Sequence, residues 1–135
     1  MTKKEITQLS YKLVGHAISV HKELGPGLLE SIYETCLQFE LEDAGYDVKR
    51  QVVIPIFYKG RIMEQELRLD LLINDCIIIE VKAVQEILPV HKAQLLTYMK
   101  LLKVPQGLLI NFYTDNITKS KIPFINEYFN DLDDE

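Results

Sequence analysis

The stretch Leu67-Arg68-Leu69-Asp70-Leu71-Leu72-Ile73-Asn74-Asp75-Cys76-Ile77-Ile78-Ile79-Glu80-Val81-Lys82 decides how this chain folds. A strand runs from about Ile62 to Ile73, Asn74-Asp75 is a turn dipeptide, and Cys76 to Lys82 is a second, shorter strand. The unbroken run Ile77-Ile78-Ile79 belongs in the middle of a sheet covered on both faces, since a strand with one wet face alternates. Charge interrupts these apolar strands at Asp70, Glu80 and Lys82. Residues two apart on a strand point the same way, roughly 6–7 Å apart along it, so Glu80 and Lys82 share a face. If the two strands pair through the turn, Asp70 lies near Glu80. Two carboxylates and one ammonium then meet at the end of a buried strand.

Upstream, Ile6, Leu9, Leu13, Ala17, Val20 and Leu24 recur at three- and four-residue steps and mark an amphipathic helix that Gly25-Pro26-Gly27 ends. Leu29, Ile32, Tyr33, Cys36, Leu37 and Leu41 mark a second helix, stopped at Gly45. Val48, Val52, Ile54, Ile56 and Tyr58 then alternate as a half-buried strand, with Pro55 pointing to a sheet edge or a bulge. Lys59-Gly60-Arg61 is the turn into the Ile62–Ile73 strand. Downstream, Pro89 opens a third helix that packs through Val90, Leu95, Tyr98, Leu101 and Leu102 and ends near Val104-Pro105. Gly107 to Tyr113 is another buried strand; beyond it only Ile122 to Phe129 is apolar enough to pack on the core or on a partner. The expected order is α-α-β-β-β-α-β in one domain spanning residues 1–135, with an acidic tail at residues 131–135.

Bulk properties narrow the function. A formal charge of -5 argues against a protein that coats nucleic acid through broad phosphate contacts. It is compatible with an enzyme that meets phosphate through a divalent cation, because the carboxylate ligands are themselves negative. Cys36 and Cys76 stand far apart without zinc-ligand spacing, so buried free thiols in a reducing cytoplasm are expected. No apolar run approaches membrane-spanning length, and neither a signal segment nor a membrane partner is expected.

The Asp70–Glu80–Lys82 constellation suits one kind of chemistry. Hard cations such as Mg²⁺ bind through one or two carboxylates and keep waters and phosphate oxygens as their other ligands. Such a cation polarises the phosphoryl group and acidifies water, and a neighbouring ammonium orients that water or stabilises charge on the phosphoryl oxygens. The competing reading is an Asp70–Lys82 ion pair at a sheet edge, and spacing alone leaves both open.

The sequence also resembles the GxxExxY protein family, a branch of the PD-(D/E)XK nuclease-like superfamily. The name motif stands as Gly27-Leu28-Leu29-Glu30-Ser31-Ile32-Tyr33, preceded by Val20-His21-Lys22-Glu23-Leu24-Gly25-Pro26. Leu69-Asp70-Leu71-Leu72, Ile79-Glu80-Val81-Lys82-Ala83, the segment from Pro89 to Tyr98 and Gly107-Leu108-Leu109-Ile110-Asn111-Phe112 follow in order. The family usually has glycine after its Asn-Phe pair, where this chain has Tyr113. The resemblance implies an α/β fold with a restriction-endonuclease-like core, a mixed central sheet flanked by helices. It implies Asp70 and Glu80 as ligands of Mg²⁺ or Mn²⁺, Lys82 as catalytic lysine, and Glu30 as an additional acidic ligand from the helix before the sheet. Gln94 and Tyr98, one turn apart on a helix, are similar to the glutamine–tyrosine motif of RecB-type exonucleases.

Each of these residues has a plainer role beside the functional one. Glu30 lies in a first helical turn, where the dipole favours a carboxylate in any case. Gln94 and Tyr98 can simply pack with a hydrogen bond, and Tyr33 shares the apolar face of its helix. His21 either approaches the site or caps locally; His16 and His91 have no stronger claim. Lys3, Lys4, Lys12 and Lys22 form a basic face or a solvated one. Two functions are expected from this set. The first is a metal-dependent nuclease on DNA or RNA, for which pairing into a homodimer is one way to grip a duplex. The alternative is a catalytically inactive binding or assembly module that keeps the fold.

Overall fold

The computed structural model describes all of residues 1–135. Helices α1 (Lys3–Leu24) and α2 (Glu30–Asp43) lead into strands β1 (Val48–Tyr58), β2 (Arg61–Ile73) and β3 (Ile77–Lys82). Helix α3 (Pro89–Leu102) carries the chain to β4 (Gln106–Asn111), and α4 (Ile117–Ser120), β5 (Lys121–Ile125) and α5 (Glu127–Asn130) complete it. The strands form one sheet in the order β1-β2-β3-β4-β5, antiparallel throughout except for the parallel pair β3 and β4. This is the mixed α/β architecture expected, with one strand, β5, and two four-residue helices, α4 and α5, added. β5 escapes the sequence because it is five residues long and carries Pro123, which an edge strand tolerates.

Local chemistry fixes the elements. Thr2 Oγ1 accepts the Glu5 N–H at 3.1 Å to cap α1, and Gly25 ends the helix at φ 74°, a conformation that glycine adopts without cost. Lys59-Gly60 and Asn74-Asp75 all have positive φ, as tight hairpin turns require. The acidic tail folds back on the start of α1: the Asp133 carbonyl accepts the Lys3 N–H at 2.8 Å, and Asp134 pairs with the Lys3 ammonium at 3.1 Å. Carboxylates there oppose the positive end of the helix dipole.

Two apolar layers enclose the sheet. Leu13, Ala17, Val20, Tyr33, Leu37 and Leu41 of α1 and α2 cover Leu71, Ile77, Ile79, Val81, Leu108 and Ile110 on one face. Leu95, Tyr98 and Met99 of α3 cover Ile54, Leu69, Leu72, Ile78 and Leu109 on the other. β3 and β4 are therefore sandwiched, which accounts for the unbroken isoleucine run. Helix α3 lies so close to β4 that a Cβ on Gly107 would sit 2.8 Å from both Leu95 Cδ1 and Met99 Sδ. No helix is long and apolar enough to cross a membrane.

One feature departs from simple alternation. In β2, Leu67 and Leu69 join the α3 layer, whereas Leu71 and Ile73 join the α1/α2 layer, although all four are spaced by two. β1 behaves alike, with Val52 and Ile54 towards α3 and Val48 towards α1 and α2. The facing of both strands reverses between the pairs Arg50↔Leu71 and Val52↔Leu69, where Gln51 has φ 53°. The even-numbered positions of β1 thus do not share one face along its length, as their spacing suggests. A second irregularity, between Pro55 and Phe57, is the bulge that Pro55 signals.

Candidate active site

The reversal at Gln51 and Asp70 opens a notch in the sheet. β3 pairs with β4 as far as Lys82↔Asn111, but its ladder with β2 stops at Leu71↔Ile79. Where the next rung would form, side chains replace it. Glu80 Oε2 accepts the Asp70 N–H at 2.7 Å, and Asp70 Oδ2 accepts the Val81 N–H at 2.8 Å. The two carboxylates thereby hold the strands apart and converge, as their positions in the sequence imply. Glu80 is 5% exposed and Asp70 half-buried.

Electrostatics in the notch are tense. Burial pushes the Asp70 carboxyl up to about 7; the Val81 N–H opposes the rise, and the adjacent Glu34 adds to it. Burial, followed by the charge of Asp70, pushes Glu80 up to about 8. Lys82 lowers both through its charge, yet it forms no ion pair within 4.0 Å with either carboxylate. The sheet-edge ion pair considered above is not made. Lys82 instead follows Glu80 by two residues on the face covered by α3.

From α3, Tyr98 is 3% exposed, and burial, then the charges of Glu80 and Asp70, push its hydroxyl up to about 12. Gln94, one turn earlier, is exposed on the same helix. From the opposite layer α2 supplies two carboxylates four residues apart. Glu30 Oε1 accepts the Ala83 N–H at 3.1 Å. The N–H groups of Val81 and Ala83 leave the same edge of β3 roughly 6–7 Å apart. Glu30 is therefore held one N–H further along the same edge than Asp70.

Glu34 occupies the place next to Asp70, 6% exposed, and the sequence reading passes over it. Arg50 Nε donates to Glu34 Oε2 at 2.6 Å. Gln51 Nε2 lies 3.0 and 2.9 Å from the two Glu34 oxygens and 3.5 Å from Asp70 Oδ1. A signal for Glu34 does exist in the sequence, since it lies one helical turn after Glu30. Arg50 and Gln51 carry none, because polar residues are ordinary on an alternating strand.

The remaining motif residues have structural partners. Tyr33 is fully buried, stacks on Phe112 at 4.6 Å between centroids, donates its hydroxyl to the Gly25 carbonyl and accepts the Leu28 N–H at 3.0 Å. It pins the Gly-Pro-Gly corner and so sets where Glu30 begins its helix. The Asn111 side chain accepts the Val84 N–H at 3.1 Å and donates to the Val84 carbonyl at 2.8 Å, fixing the chain just past Lys82. His21 bonds the Thr114 carbonyl at 2.7 Å, His16 meets Glu40 at 3.0 Å, and His91 accepts the Leu88 N–H at 3.0 Å. None of the three histidines belongs to the notch.

The donor set is chemically suited to a hard divalent cation: carboxylate oxygens only, crowded enough to resist ionisation without a positive charge nearby. No group of three or more His, Cys, Asp or Glu is arranged to hold one ion. Asp70 and Glu80 are the two carboxylates that would hold such an ion, in keeping with the one or two that Mg²⁺ takes when water and substrate fill its other positions. No curated protein and no solved structure matches the chain. A family model does, that of the PD-(D/E)XK nuclease superfamily, over residues 7–122. That span runs from α1 into β5 and includes every residue of the notch, so the chain belongs to the PD-(D/E)XK nuclease superfamily.

Proposed function

We propose that this protein is a divalent-metal-dependent nuclease that hydrolyses phosphodiester bonds in DNA or RNA. The observation that carries the reading is the notch itself. At the end of β3 the Glu80 carboxylate accepts the Asp70 N–H and the Asp70 carboxylate accepts the Val81 N–H in place of strand hydrogen bonds, with a lysine free of any ion pair on the same strand. The finer placement in the GxxExxY branch rests on Gly27, Glu30 and Tyr33 and on the order of the surrounding segments.

Asp70 and Glu80 would hold Mg²⁺ or Mn²⁺. When bound, that ion supplies Lewis acidity towards a phosphoryl oxygen and towards attacking water. The Lys82 ammonium stabilises the negative charge that builds on the phosphoryl oxygens and orients the water. Tyr98, buried beside Glu80, fixes the wall of the notch on the α3 side, and exposed Gln94 contacts substrate one turn away. Glu30, set back along β3, acts as an outer ligand through water. The net charge of -5 leaves little general attraction for phosphate, so substrate is held chiefly at the cation and Lys82, and a second copy of the chain would help to grip a duplex.

Incubating labelled single- and double-stranded DNA and RNA with wild type in Mn²⁺ or Mg²⁺, then with chelator, tests the proposal. Cleavage that stops with chelator and in Asp70→Ala is the expected result. Absence of cleavage across all four substrates, or cleavage unchanged in Asp70→Ala, would sink it, and the binding-module reading would replace it.

A further inference from the structure

We infer that Gln51 is a positioning residue of the notch, and that its left-handed backbone and side-chain amide together set the place of the Asp70 carboxylate. The inference rests on the metal-site reading above and names the part of β1 that serves it.

The backbone comes first. Gln51 has φ 53°, a strained region that a non-glycine residue keeps only where its surroundings compensate. Here it stands opposite Asp70, between the rungs Arg50↔Leu71 and Val52↔Leu69, at the point where both strands change facing. Without that turn of the backbone, Asp70 would continue the alternation of β2 and point into one of the apolar layers. With it, Asp70 reaches the edge of β3 and takes the Val81 N–H.

The side chain comes second. Glu34 and Asp70 are both acceptors, and ionised carboxylates facing each other without a donor repel. The Gln51 amide sits between them, with Nε2 2.9 and 3.0 Å from the Glu34 oxygens and 3.5 Å from Asp70 Oδ1. It supplies N–H groups to both without adding charge. Arg50, whose Nε lies 2.6 Å from Glu34 Oε2, anchors Glu34 as well, so the amide has a fixed base to work from. The chain Arg50–Glu34–Gln51–Asp70 ties α2 and β1 to the position of one carboxylate oxygen.

Mg²⁺ and Mn²⁺ demand ligand positions closer to an ideal octahedron than the larger, more tolerant Ca²⁺. A residue that acts by position therefore affects Mn²⁺ more than Ca²⁺, whereas one that acts through overall charge or general stability affects both alike. Gln51→Gly keeps the left-handed backbone and removes the amide; Gln51→Asn tolerates the same backbone and returns a shorter amide. Calorimetric titration of wild type and both variants with Mn²⁺ and with Ca²⁺, alongside thermal melting, tests the inference. The expected result is melting close to wild type in both variants, a loss of about tenfold in Mn²⁺ affinity in Gln51→Gly with a smaller loss for Ca²⁺, and partial recovery in Gln51→Asn. An unchanged or increased Mn²⁺ affinity, or an equal loss for both ions, would overturn it. Wild type that binds neither ion would overturn the metal-site reading and this inference with it, a result distinct from intact wild-type binding that ignores Gln51.

Discussion

Asp70 does two things with one carboxylate. Oδ2 closes a backbone hydrogen bond that the diverging strands leave open, and Oδ1 faces Gln51 and the acidic side chain of Glu34. Its position in an apolar strand ten residues before Glu80 is plain from the sequence, as is the pairing of Glu80 with Lys82. Gln51 and Glu34 are not, because their importance comes from one backbone angle and a helix packed across the strands, neither of which leaves a periodic trace. Two predictions belong at this scale. Lys82→Ala should bind Mn²⁺ as wild type does, yet lose about a hundredfold or more in single-turnover cleavage, the outcome expected of a charge that acts in the transition state. The second concerns pH. In the metal-free folded protein Asp70 and Glu80 keep protons up to about 7 and about 8, whereas the unfolded chain releases them near 4. The folded state then binds more protons, so its stability should fall as pH rises from about 4 to about 8. Denaturant melts of Asp70→Asn across that range should show a shallower fall.

At the scale of elements, the hydrophobic pattern announces α1, α2, β3 and α3; α1 stops at Gly25, α2 stops just before Gly45 and α3 starts at Pro89, where glycine and proline punctuate the chain. β5 does not show, being short and interrupted by Pro123, and the alternation of β1 misleads because its facing changes at Gln51. In the motif Gly27–Tyr33, Tyr33 is the core residue that its place on the apolar face implies and fixes the corner ahead of α2, and Glu30 reaches the end of β3 from that fixed start. Tyr33→Phe removes the hydroxyl that serves Gly25 and Leu28, and should cost about 1–2 kcal/mol of stability in denaturant unfolding. Gly107 is an equally firm constraint, since α3 rests directly on it. Gly107→Val should destabilise by about 1–3 kcal/mol through overpacking against Leu95 and Met99. Because α3 carries Tyr98, the same change should lower cleavage under conditions where the protein remains folded.

Across the whole molecule, helices on both faces cover the sheet, and the buried acidic side chains of Glu34 and Glu80 lie at one place in it, the gap where β2 leaves β3. Elements from both layers converge on it: α2 brings Glu30 and Glu34, and α3 brings Tyr98. The carboxylates there repel one another in the metal-free state, so a divalent cation should stabilise the entire fold by mass action. The measurement that bears most directly on this account is calorimetric titration of Mn²⁺ into wild type at pH 8, with Asp70→Ala as the control. The account predicts saturable binding at one or two sites by wild type, accompanied by proton release and lost in Asp70→Ala. Wild type that takes up no Mn²⁺, or Asp70→Ala that binds it equally well, would contradict the account.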